Sequence, residues 1–148
     1  MVNEYLLLNA LKTVLDADAT LKGLLNVKGG SSKVLLGPAR PTVASNPTIQ
    51  LFVSQHTADE EAKWDILEVT FGVFASDIVP LADVQQIANI MDRVVTLVDE
   101  LPPNLTAHRS YNIGLVGFTP VGPAPNPPDG DPQHFQEARF TFRAIKTA

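Results

Sequence analysis

The chain contains no cysteine, which removes disulfides and thiolate chemistry; this agrees with a reducing compartment without requiring one. Basic residues are scarce: 11 Lys and Arg against 16 Asp and Glu give a net charge of −5 at pH 7. That balance disfavours a general nucleic-acid binder, because such proteins hold phosphates with an excess of cations. No apolar run approaches the ~20 residues that span a bilayer. The opening Met-Val-Asn-Glu lacks the basic and apolar regions of a signal peptide, so none is expected. With 148 residues, 45% of them hydrophobic, the chain is expected to form one globular domain. A domain of that length buries roughly 70% of the surface its unfolded chain exposes.

Residues with the spacing of a catalytic or metal site are also lacking. His56, His108 and His134 have no metal-ligand spacing, and there is no Gly-x-Ser-x-Gly elbow. The Lys28-Gly29-Gly30-Ser31-Ser32-Lys33 stretch has the wrong order for a phosphate-binding loop, and a strand follows it instead of a helix. Asp59, Glu60 and Glu61 are adjacent, whereas calcium loops alternate ligands with spacers around a Gly turn. They read as a solvated, edge-protecting tip. The expectation is no enzymatic activity, no catalytic residue, no metal and no cofactor.

What is present is a strong strand pattern. In Trp64–Ser76, Leu67, Val69, Phe71, Val73 and Ala75 share one side, because successive side chains alternate faces. That side is wholly apolar and is expected to pack on helices. Trp64, Ile66, Glu68, Thr70, Gly72 and Phe74 form a mixed second side. This strand is the centre of the expected sheet, with Thr48–His56 as its hairpin partner across a long polar tip. Val34–Leu36, Tyr111–Thr119 and His134–Lys146 are further strands, Gly114 and Gly117 marking a bulge.

Two helices are expected. Glu4–Asp16 carries Leu7, Leu8, Leu11, Val14 and Leu15 at spacings of three and four. Asp18 caps a short helical turn after it. Pro80–Leu101 starts at a proline, which suits a first helical position, and is stopped by Pro102 and Pro103. Val84, Ile87, Ala88, Met91, Val94, Val95 and Val98 are its expected apolar stripe. The predicted fold is α+β: an antiparallel sheet of four to five strands with two helices on one face.

Between the last two strands lies Pro120–Gln133, with Pro120, Pro123, Pro125, Pro127, Pro128 and Pro132. A segment so poor in backbone donors is expected to be extended, without helix or internal ladder. It reads either as a long exposed hairpin loop or as an arm that contacts a neighbouring protein. A Pro-x-x-Pro ligand for a signalling domain is a third option.

Several of these stretches together carry a resemblance. They are Leu11…Asp18-Ala19-Thr20-Leu21…Leu24-Leu25, the proline before Thr48-Ile49-Gln50-Leu51, and the Trp64–Ser76 strand ending in Asp77. The Val84–Leu101 helix and Phe135…Arg139-Phe140-Thr141-Phe142 complete the set. The chain resembles the tail-completion proteins of long-tailed bacteriophages, related in fold to tail terminators and other head–tail joining proteins. It differs in having Leu35-Leu36 where the family has an aromatic, and in the length of Pro120–Gln133.

The resemblance implies a structural virion protein, made in the bacterial host cytoplasm, that forms a six-fold ring at the head-proximal end of the tail. Its implied partners are copies of itself, the tail tube protein and the head–tail connector; DNA would pass through the ring without sequence-specific binding, and no membrane is involved. Trp64, Ile66 and Phe74 are the candidate subunit interface, since ring closure would bury this apolar second side against a different patch on the neighbour. The six prolines mark the candidate partner-contact loop. The competing class is a small non-enzymatic binding or accessory module acting as monomer or dimer.

Overall fold

A computed structural model describes residues 2–27, 32–39, 47–59, 61, 63–75, 80–100, 105, 108–124 and 133–147, with the side chains of 80–83 and 110–113 excepted. The element order is α1 (Glu4–Asp16), α2 (Ala19–Leu24), β1 (Val34–Leu36), β2 (Thr48–Asp59), β3 (Trp64–Ala75), α3 (Pro80–Glu100), β4 (His108–Phe118), β5 (Gly122–Pro123) and β6 (His134–Lys146). The strands form one six-stranded sheet in the order β1-β2-β3-β6-β4, with β5 also paired to β6.

This corrects the predicted fold class in two respects. The sheet is larger and mixed, because β1 runs parallel to β2 with Val34 opposite Ile49. A parallel pair cannot be joined by a two-residue turn, and 11 residues separate Leu36 from Thr48 in the sequence. The short turn after Asp18 is a third helix, α2, whose cap Asp18 accepts a hydrogen bond from the Leu21 amide at 2.8 Å.

One face of the sheet builds the core. Leu67, Val69, Phe71, Val73 and Ala75 of β3 are completely buried, as are Phe140 and Phe142 of β6. The register places Leu67 opposite Phe142 and Val69 opposite Phe140, and Phe71 meets Phe140 edge to face at 5.4 Å between centroids. Leu7, Leu11 and Leu15 of α1, Leu21 of α2, and Ile87, Ile90 and Val94 of α3 cover this face. α1 packs over β1 and β2, and α3 over β3, β6 and the margin of β4.

The buried arc of α3 differs from the expected stripe. Ile87, Ile90, Met91, Val94, Leu97 and Val98 are buried, whereas Val84 is 45% exposed and Ala88 and Val95 are half-buried. Val84, Ala88 and Val95 lie together on one flank of the helix at 100° per residue. The apolar surface of α3 is therefore wider than the sheet beneath it can cover.

Bulges reset two strands. Between Val53 and Gln55 the β2–β3 register shifts, so that His56 stands opposite Leu67 on the core face. β4 shifts against β6 at Asn112/Gly114 and again at Leu115/Gly117, as the two glycines predicted. Gly114 has φ +147°, a conformation side-chain-bearing residues rarely adopt. No helix among the described residues is long and apolar enough to cross a membrane.

Candidate assembly surfaces

The face of the sheet turned away from the helices divides into two halves. At the end where β3 begins, Trp64 and Ile66 are half-buried. Ile66 stands opposite Arg143 and Trp64 opposite Ile145 on β6. The exposed Arg143 guanidinium lies over the Trp64 ring, 5.3 Å from its centroid, a cation–π contact that keeps an apolar ring and a positive charge in one patch. Further along, Glu68 accepts from the Ser54 hydroxyl at 3.1 Å and stands 3.6 Å from the Arg139 guanidinium. The exposed Arg109 of β4 is opposite Ile145 and on the same face.

At the other end the face is closed by the chain itself. Phe74 is 2% exposed and stacks on Phe135 at 5.7 Å with 19° between ring planes. Its ring folds across Gly72, where an added Cβ would stand 2.9 Å from Cε2. Gln50 donates to the Gly37 and Ala39 carbonyls at 2.9 and 2.6 Å, which fastens their segment at this end. The expected Trp64–Ile66–Phe74 patch thus does not form one accessible surface. Alternation assigned all three to one face, but it carries no information on which part a connection covers.

The Pro-rich segment departs from expectation at its start. Gly122 and Pro123 pair with Phe135 and His134 as β5, and Ala124 donates to the Gln133 carbonyl at 2.9 Å. The start of the segment therefore pairs with β6, a strand outside it, where a wholly unpaired extended stretch was expected. Proline is tolerated there because the ring costs only a donor that a margin position does not need. Pro120 and Pro123 are exposed; Pro125, Pro127, Pro128 and Pro132 lie outside the described residues.

Between α3 and the end of β4 runs a groove of about 420 Å³, lined by Ala88, Met91, Asp92, Phe118, Val121 and Gln136 among others. Most of its lining residues are apolar, and the exposed Asp92 is one of those that are not. Phe118 is 49% exposed, and Leu115, Val116 and Val84 are similarly open. The exposure of these apolar residues of α3 and β4 was not anticipated from the sequence. The signal was the surplus width of the α3 stripe, which the periodicity showed but the notion of a single core absorbed.

A polar cluster was missed as well. His56 Nδ1 is 2.7 Å from Glu4 Oε2, and its Nε2 is 2.8 Å from Asp65 Oδ2. The Val2 amide donates to the same Asp65 oxygen at 2.6 Å. Burial opposes protonation of His56, but the hydrogen bonds it donates to the Asp65 and Glu4 carboxylates outweigh this and raise its pKa above 6.5. The cluster ties the start of α1 to β2 and β3. Among the described residues, no group of His, Asp and Glu has an arrangement that could hold a metal ion.

No protein-family model matches the chain, and no curated protein does. Solved structures do share its architecture. This fold occurs in a virion. A chain of the structure described as "Virion of native gene transfer agent (GTA) particle" aligns with 96% of this chain and 95% of its own length, with a TM-score of 0.58 and 18% identity. A second solved chain aligns over 97% and 96% of the two lengths, with a TM-score of 0.55 and 13% identity. Nearly the whole chain takes part in each alignment.

Proposed function

We propose that this chain is a structural virion protein that forms a ring at the head-proximal end of a phage-type tail, completing the tail tube and joining it to the head. The observation that carries the reading is the end-to-end fold similarity to a chain of a gene transfer agent virion. The resemblance of the apolar pattern to tail-completion proteins points the same way.

Three features support it. The second sheet face retains an accessible apolar half at Trp64 and Ile66, which a neighbouring copy would bury. The groove beside β4 is a different patch, as a heterologous and ring-closing contact requires. The net charge of −5 suits a ring around DNA that must let the duplex pass. The further partners in this reading are the tail tube protein and the connector, met by the ends of the ring and by the hairpin that carries Pro120 and Pro123.

Deletion of the gene from the producing strain tests the role. The expected result is filled heads and separate tails, with joining restored when the gene is supplied in trans. Intact, infectious or transfer-competent particles from the deletion strain would overturn it.

A further inference from the structure

The two apolar patches lie on opposite faces of the sheet. Trp64, Ile66 and Arg143 are on the face without helices, while the groove is on the helix side, between α3 and β4. They also differ in charge. Arg139 and Arg143 flank the first patch, and both are exposed. Asp92 borders the groove, and Asp99, seven residues on and also exposed, lies along the same side of α3. On the first face Arg109, Arg139 and Arg143 outnumber Glu68, which stands 3.6 Å from Arg139, whereas the charged residue lining the groove is Asp92.

We propose that the occupant of the groove is a second copy of this chain, whose Trp64 and Ile66 enter it while Arg143 meets Asp92. The inference rests on the ring reading and specifies its contact. Apolar chemistry favours it, since Trp64 and Ile66 leave half-buried apolar surface beside Arg143, and the groove is lined mainly by apolar residues, among them Ala88, Met91, Phe118 and Val121. Charge favours it as well, because complementary rims set orientation and exclude wrong pairings. The contact joins unlike surfaces, so it leaves a free patch of each kind on a dimer and propagates until a ring closes. A flat pairing of two Trp64 faces would bring the arginines of both copies together, and a pairing of two grooves would oppose the two Asp92 carboxylates.

Sedimentation of charge-reversed chains tests this. Asp92→Arg and Arg143→Asp should each weaken self-association at least about tenfold, since like charges then face each other. The chain with both reversals should regain the parent's assembly. Either single variant assembling as the parent does, or a double variant that fails to recover, overturns the pairing. Because the chain has no cysteine, Asp92→Cys with Arg143→Cys supplies a second measurement. Oxidation should give a ladder of disulfide-linked copies, and assembled chains that do not cross-link contradict the contact. A parent chain that remains monomeric at its highest soluble concentration overturns the ring reading itself, and the self-contact with it.

Discussion

At the scale of the residue, the core face and the His56 cluster make the sharpest demands. Phe71 and Phe142 are completely buried between sheet and helices, so Phe→Ala at either should cost about 3–5 kcal/mol through lost transfer energy and an unfilled cavity. A melting temperature equal to the parent's would place that ring outside the core. His56 has a raised pKa, held up by Asp65 and Glu4 against the cost of burial. Its contribution to stability is therefore complete below 6.5, its ordinary value, and is lost as pH rises through the higher folded value. His56→Gln should remove that dependence. Melting temperatures across this range should converge for parent and variant as pH rises, and a constant difference would show that His56 holds no extra proton in the folded state. Neither partner of this histidine could be found by spacing. Glu4 reads as a first-turn acid and Asp65 as one polar position in an otherwise apolar side. Only the bulge at Val53/Gln55 turns His56 toward both.

At the scale of the element, the legible features were those with a period. β3, β6, α1 and α3 were readable because alternation or a three-to-four spacing of apolar residues reports directly which side is buried. β1 was expected as a strand at Val34–Leu36 and is one, but its parallel partner leaves no local sign; β5, with two residues, is too short for any period. The α2 helix is a similar case: six residues held less by propensity than by its cap. Asp18 both accepts from Leu21 and receives two hydrogen bonds from the Arg93 guanidinium, at 2.9 and 2.6 Å, so it fastens α2 to α3. The Arg93 hydrogen bonds outweigh the cost of burial and hold the Asp18 carboxyl below its ordinary 3.8. This stabilisation is present above 3.8 and is lost as pH falls through the lower folded value. Asp18→Ala should cost about 1–2 kcal/mol at neutral pH from the cap alone, measured by urea unfolding, and Asp18→Asn should retain the cap but not the ion pair. Equal stability of Asp18→Ala and parent would contradict the staple. Gly72→Ala should also destabilise, because the new methyl group meets the Phe74 ring; an unchanged melting temperature would mean that the ring moves aside freely.

At the scale of the whole molecule, sheet, helices and hairpin define a domain whose two sides are chemically unlike. The Pro-rich segment was legible in composition but not in conformation, since proline content reports missing donors and not where pairing resumes. With β5 and the Ala124–Gln133 hydrogen bond closing the hairpin, replacement of residues 125–132 by a two-residue Gly-Asn turn should spare folding and impair attachment to the tail or head. Fully infectious particles with the shortened hairpin would make it a tolerated surface insertion. The site was half legible: Trp64 and Ile66 could be assigned to the open face, but the burial of Phe74 and the groove beside β4 depend on how distant elements pack. The central claim is a position in a particle. Electron microscopy of particles from the producing strain, labelled for this chain, tests it most directly. The predicted result is a ring of label at the junction of head and tail; label elsewhere on the particle, or none on it, would contradict the account.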